Sequence, residues 1–165
     1  AFQLQIDSAI IRRSLMEFQG VKRRFDVHLK TERVIYIDDY AHHPEEIKVL
    51  LSSVRELYPE KLITTVFQPH LFSRTKDFAN EFADVLSTSD DVILLDIYPA
   101  REKEIEGINS LWLSKKMSKK DVHVCAKHQL INVLKTKKIE VLLSVGAGDI
   151  DTLINPIINH LETLE

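Results

Sequence analysis

The sequence predicts a single doubly wound α/β sheet, mostly parallel and Rossmann-like, with one antiparallel edge strand. Three observations predict it. Short apolar runs alternate with amphipathic stretches along the chain, the pattern of repeated strand–helix–strand units. Runs such as Val92 to Ile97 are almost continuously apolar, as strands are when helices cover both faces. Phe25 to Lys30 instead alternates apolar with polar, as a half-exposed edge strand does.

The elements follow in order. Residues 6–18 carry Ile6, Ile10, Ile11, Leu15 and Phe18 at helical spacing, and Gly20 stops that helix. After the edge strand, Val34 to Ile37 form a short buried strand ending in Asp38-Asp39. Pro44 opens the next helix at a position where its missing N–H costs nothing. Glu45 and Glu46 complement that end of the dipole, and Ile47, Leu50, Leu51, Val54, Leu57 and Tyr58 give the buried face. Leu62 to Phe67 form a strand. Thr75 to Ser87 form a helix with Phe78, Phe82, Val85 and Leu86 inward. Val92 to Ile97 are the next strand, followed by a loop over 98–109 and a weaker helix over 110–118. A short strand at 122–126 and a short helix at 128–135 lead to a last strand, Val141 to Val145. Gly146-Ala147-Gly148 then turns the chain into a final helix, where Pro156 implies a kink or a restart capped by Asn155.

Composition excludes several classes. The 165 residues are 44% hydrophobic and 28% charged, with a net charge of -3, which suits one domain with a real core and argues against disorder. Nucleic-acid binding calls for a basic stripe, and Lys22-Arg23-Arg24 is too short to make one. No apolar run is long enough to span a membrane. Ala1-Phe2-Gln3-Leu4-Gln5 lacks the basic and apolar regions of a signal peptide. The lone Cys125 has no internal disulfide partner, which fits a reducing cytoplasm. The chain starts without methionine and runs straight into apparent structure, so it reads as an excised domain.

In an open α/β sheet, ligands bind beyond the carboxyl ends of the strands. There the sequence gathers Asp38-Asp39-Tyr40-Ala41-His42-His43-Pro44, then Gln68-Pro69-His70-Leu71-Phe72-Ser73-Arg74-Thr75, Tyr98-Pro99-Ala100-Arg101 and Gly146-Ala147-Gly148-Asp149. Asp39, His42 and His43 could hold a metal, although adjacent histidines on a turn rarely face one ion. Alternatively, Asp39 caps a turn and His43 sits near the helix start. The favoured reading is ligand contact, with Asp39 accepting from sugar hydroxyls and Tyr40 and His42 donating to a small polar substrate. Arg74, placed just before a helix start, offers a fork for carboxylate or phosphate, or else pairs with Asp77 on the surface. The two glycines at 146 and 148 fit a tight turn better than a dinucleotide fingerprint, which is incomplete here. There is no G-x-x-x-x-G-K-[ST] loop and no G-x-S-x-G elbow. Any contact with ATP therefore comes from across a cleft.

Taken together, Phe18-Gln19-Gly20-Val21-Lys22-Arg23-Arg24-Phe25, the Asp-Tyr-Ala-His-His-Pro segment, Phe67-Gln68-Pro69-His70 through Ser73-Arg74-Thr75, Leu95 to Ala100 and Gly146 to Ile150 resemble the C-terminal domain of the Mur ligase family, in its alanine-adding branch. The likeness runs from about residue 15 to the end. Residues 1–14 would be the tail of, or the connection to, a central domain, and 15–165 the C-terminal domain. The resemblance implies a cytoplasmic enzyme of peptidoglycan synthesis. A first domain binds a UDP-sugar, a central one holds ATP and Mg²⁺, and this third one closes over both. The substrate carboxylate is phosphorylated, and the amino group of alanine attacks the acyl phosphate. By position, Arg24 would reach the ATP phosphates and serve catalysis, and Asp39 would hold the ribose. Tyr40, His42 and Arg74 would line the alanine pocket. Members of the branch often carry a second arginine where this chain has Leu71, which leaves the carboxylate to Arg74. The chain alone would be inactive, would bind no cofactor tightly, and would hold no metal of its own. Its partners would be the two other domains and small-molecule substrates. The rival readings are a ligase recycling murein peptides and a non-catalytic nucleotide-binding module.

Overall fold

The computed structural model describes residues 2–163 apart from Gln19 and Lys120. Those two, with Ala1, Leu164 and Glu165, lie outside the described residues, including the Gln19 of the resemblance above. In chain order the elements are α1 (Ser8–Met16), β1 (Asp26–Lys30), β2 (Ile35–Asp39), α2 (Pro44–Leu57), β3 (Ile63–Phe67), α3 (Phe72–Asp77), α4 (Ala79–Leu86), β4 (Asp91–Leu95), α5 (Ser110–Ser114), β5 (Val122–Cys125), α6 (Leu130–Leu134), β6 (Val141–Val145) and α7 (Ile154–Glu162). Short 3-10 turns sit at Phe2–Leu4, Lys127–Gln129 and Asp149–Leu153.

The strands form one sheet in the order β1-β2-β6-β3-β4-β5. β1 is antiparallel to β2, and every other pair is parallel. The first three crossovers run one way and put α2, α4 and α5 on one face. There Ile47, Phe82 and Leu113 pack on Ile37, Phe67 and Leu143. The last crossover runs back and puts α6 on the other face, where α7 joins it after β6, and Leu130 and Ile157 pack there on Tyr36, Ile93 and Leu142. The winding thus reverses beside β6, which enters between β2 and β3. The strand pleat alternates sides, so Val141, Leu143 and Val145 serve one core and Leu142 the other.

Several local expectations need correction. The apolar stripe of α1 is left mostly uncovered: no residue of the helix is buried, Ile11 is only half-buried, and Leu15 is 70% exposed. The helix expected over 75–87 starts earlier, at Phe72, and breaks at Phe78 (φ -110°, ψ 25°) into α3 and α4. The bend lets the Phe78 ring meet His43 edge-on at 4.6 Å. Leu57 is exposed rather than inward. At the end of the chain Leu153, not Asn155, occupies the capping position of α7. Pro156 falls in the first turn, where no N–H is needed. No helix among the described residues is long and apolar enough to cross a membrane.

Candidate functional site

Register brings three chain segments abreast at the carboxyl edge of the sheet. Asp39 pairs with Val145, and Val145 with Phe67, so Tyr40, Gly146 and Gln68 leave the sheet side by side. Gly146 N–H donates to the Asp39 carbonyl at 3.1 Å, and Gln68 N–H to that of Val145 at 2.9 Å. The glycines serve this close approach. Gly146 has φ +148°, and a Cβ there would lie 2.7 Å from the Gln68 carbonyl oxygen. A Cβ on Gly148 would lie 2.7 Å from Cβ of Tyr98. The Gln68 side chain locks the turn, accepting from Ile150 N–H at 3.0 Å and donating to Asp149 Oδ1 at 2.8 Å.

Residues 21–25 fold back over this edge. Arg23 and Phe25 take positive φ, 58° and 49°. The Arg23 guanidinium turns inward: Nε meets the wholly buried Asp38 at 2.9 Å, and Nη2 donates to the Gly146 carbonyl at 2.6 Å. The same group lies 5.0 Å from the centre of the Tyr40 ring. Behind it, Ser144 Oγ donates to Asp38 Oδ1 at 2.6 Å and meets Tyr36 Oη at 2.9 Å. Burial pushes the Tyr36 hydroxyl well above its ordinary range.

With Arg23 turned in, Arg24 points out. It is exposed and lines a cleft of about 410 Å³ together with Phe25, Asp39, Tyr40, Glu46 and Leu50. Among the described residues no acid pairs with Arg24. The Asp39 carboxylate accepts Phe25 N–H at 2.7 Å and Ala41 N–H at 2.8 Å, one on each oxygen. It therefore holds the fold together as well as facing the cleft.

The rim continues from Tyr40 along α2 and α3. His42 Nδ1 lies 2.9 Å from the Tyr40 carbonyl, which fixes the ring edge-on to Tyr40. Glu46 accepts the N–H groups of His42 and His43 at 2.9 and 3.1 Å. Burial alone would raise the Glu46 carboxyl, but these amides outweigh it and hold it below the usual range. His42 stands 6.0 Å from His70, ring to ring, and His70 stacks on Tyr98 at 5.7 Å. Burial, then the Arg74 and His42 charges, lowers the His70 pKa, with Glu102 opposing. His70 Nδ1 and Arg74 Nη1 are both buried without a partner.

One candidate residue sits elsewhere than expected: Arg74 lies within the first turn of α3 rather than before it, and it forms no ion pair with Asp77. Arg24, Asp39 and Tyr40 share the cleft. His42 adjoins Tyr40, and Arg74 lies beyond His70, so the five candidates occupy one rim without Arg24 and Arg74 touching. Sequence reasoning missed Arg23, Gln68 and His70 as individuals. The last two were visible only as members of a strand-end segment, and nothing in the sequence tells inward Arg23 from outward Arg24. Among the described residues no group of three or more His, Cys, Asp and Glu is arranged to hold a metal.

A doubly wound sheet with a polar rim at its winding reversal defines an α/β domain of the kind that takes ligands at the carboxyl ends of its strands. The chain belongs to the Mur ligase, glutamate ligase domain family, whose model matches residues 23–148. It is 51% identical over 152 residues to the UDP-N-acetylmuramate–L-alanine ligase of Flavobacterium psychrophilum, covering 92% of this chain and 34% of that protein. It is 53% identical over 140 residues to that of Christiangramia forsetii, covering 85% of this chain and 31% of that protein. The solved structure of UDP-N-acetylmuramate-alanine ligase from Thermotoga maritima matches 99% of this chain and 35% of its own length, with a TM-score of 0.78 and 29% identity. A murein peptide ligase from Psychrobacter arcticus shares the fold at 16% identity and a TM-score of 0.67. The chain thus spans about a third of the length of the relatives it matches.

Proposed function

We propose that this chain is the C-terminal closing domain of an ATP-dependent ligase that joins L-alanine to the carboxylate of UDP-N-acetylmuramate. Residues 1–14 would belong to, or lead from, a central domain. The observation that carries the reading is the rim itself: an outward Arg24 beside Asp39 at one end, and a buried, unpartnered Arg74 Nη1 at the other. A cation that faces solvent without a counter-charge suits the phosphates of a nucleotide presented from across the cleft. A buried guanidinium donor without an acceptor costs free energy unless a ligand anion supplies one.

Each residue then has a role. Arg24 neutralises charge on the phosphates as the carboxylate is activated. Asp39 keeps a lone pair on each oxygen beyond the backbone amides it accepts, which suits ribose hydroxyls. Tyr40 and His42 wall the alanine pocket, and Arg74 takes the alanine carboxylate. ATP and Mg²⁺ would be held mainly by the other domains, since this chain lacks a phosphate-cradling loop. When bound, ATP would supply the phosphoryl group that makes the acyl carbon electrophilic, with ADP leaving first and phosphate leaving when the alanine amine attacks. The reactive acyl phosphate needs shielding from water, which closure of a whole domain provides. The isolated chain is then inactive, and the enzyme works in the cytoplasm, where nucleotide sugars and ATP are supplied.

The test is ligation by the full-length enzyme, with L-alanine compared against a murein tripeptide. Alanine-dependent release of ADP is expected. Arg74→Ala should raise the alanine KM by about tenfold or more, the cost of losing a charged hydrogen bond, and leave the KM for ATP within about twofold. Activity with the tripeptide alone, or an unchanged alanine KM in the variant, would overturn the reading.

A further inference from the structure

Helix α3, which carries Arg74, begins without a cap of its own. Leu71 occupies the capping position with a hydrocarbon side chain and φ +71°. The first amides of any helix need acceptors from outside it. Here they come from Glu102, in the segment after β4. Its Oε2 accepts Ser73 N–H at 3.0 Å, and its Oε1 accepts Ser73 Oγ–H at 2.5 Å. These two bonds, helped by the Phe72 amide, hold the Glu102 carboxyl below its usual range.

The segment bearing Glu102 is itself tied to the residues before α3. Tyr98 N–H donates to the Pro69 carbonyl at 2.8 Å, and Leu71 N–H returns a bond to the Tyr98 carbonyl at 2.9 Å. Tyr98 also stacks on His70, and Glu102 N–H donates to the Pro99 carbonyl at 2.9 Å. Residues 69–74 and 98–102 therefore behave as one braced unit, and this unit carries two buried side-chain atoms without a partner, His70 Nδ1 and Arg74 Nη1. Glu102 spends both oxygens on Ser73, adjacent in sequence to Arg74, and forms no ion pair with Arg74 itself.

We propose that Glu102 is a positioning residue of the amino-acid pocket: by capping α3 from the strap after β4, it fixes Arg74 and His70 in place and leaves Arg74 free for the carboxylate of the incoming amino acid. This deepens the ligase reading and rests on it. An acid paired directly to Arg74 would compete with the substrate anion, whereas one committed to the helix amides does not.

Steady-state kinetics of the full-length ligase test this, with Glu102→Ala, Glu102→Gln and Ser73→Ala. Glu102→Ala should raise the alanine KM by about tenfold, the effect of losing charge-assisted bonds to α3. The KM values for ATP and the UDP-sugar should stay within about twofold. Glu102→Gln keeps an acceptor oxygen for Ser73 and should restore most of the loss, and Ser73→Ala should raise the alanine KM about threefold. An alanine KM unchanged in all three, or an equal rise for every substrate, overturns the proposal. Should Glu102→Ala yield no folded protein, the other two variants decide by the same criterion. An inactive wild-type ligase would overturn the functional reading first and this one with it, whereas an active one with unaltered variants overturns this one alone.

Discussion

Arg23 Nε and Asp38 Oδ2 meet at 2.9 Å, and the acid is wholly buried while the base is 17% exposed. A carboxylate taken out of water is tolerable only when its charge is matched and its lone pairs are used. Arg23 matches the charge, and Ser144 Oγ takes the other oxygen. The same guanidinium also holds the Gly146 carbonyl, so three chain segments meet on one side chain. Arg23→Ala should therefore lower the unfolding free energy by about 3 kcal/mol, since it strands a buried charge. Arg23→Lys should recover only part, because an ammonium cannot span Asp38 and Gly146 as a planar fork does. Urea unfolding of the three proteins reads this directly. Equal midpoints would mean that Asp38 finds its counter-charge elsewhere.

A second prediction concerns pH. His70 and His160 both have pKa values held below the ordinary value of 6.5, first by burial and then by neighbouring cations. For His70 those cations are Arg74 and His42, with the Glu102 charge opposing. For His160 the cation is Lys135, and the Leu134 carbonyl opposes. Well above 6.5 both rings are neutral, folded or unfolded, and neither affects stability. As pH falls through that value, the unfolded chain takes up protons that the fold resists, so stability drops until the lower folded values are passed. The urea midpoint should thus fall between about pH 7.5 and about pH 5.5. The His70→Gln, His160→Gln double variant should flatten that slope. A variant with the wild-type slope would assign the pH response to other groups.

Much of this architecture was written in local pattern. The continuous apolar runs of β4 and β6 required cover on both faces, and the two hydrophobic clusters provide it. Pro44 marked the start of α2 because a residue without N–H fits only a first turn. The site was legible as segments and not as side chains, for two physical reasons. Arg23 and Phe25 adopt positive φ without glycine, so nothing in the sequence announces the reversal that sends Arg23 inward and Arg24 outward. The start of α3 was misjudged at Thr75 because its cap is Glu102, distant in sequence, and Leu71 gives no capping signal. Long-range acceptors and left-handed turns at ordinary residues leave no trace in periodicity.

The final prediction follows from α1. Its apolar residues Ile10, Leu15 and Met16 are 48%, 70% and 86% exposed, and Leu4 and Phe18 beside it are 76% and 64% exposed. Apolar spacing of this kind stabilises a helix only when another surface covers it, and these five side chains are left uncovered. We therefore expect α1 to contribute nothing to the stability of the α/β sheet and to dock on the neighbouring domain in the full-length ligase. Deleting residues 1–17 from this chain should leave its melting temperature within about 2 °C, the shift that a surface change of a few tenths of a kcal/mol produces. Leu15→Glu should likewise leave this chain unaltered, while in the full-length protein it should lower the melting temperature by several degrees, roughly the effect of burying an unpaired charge. If the deletion unfolds the isolated sheet, or if Leu15→Glu is silent in the full-length protein, α1 is not a docking element.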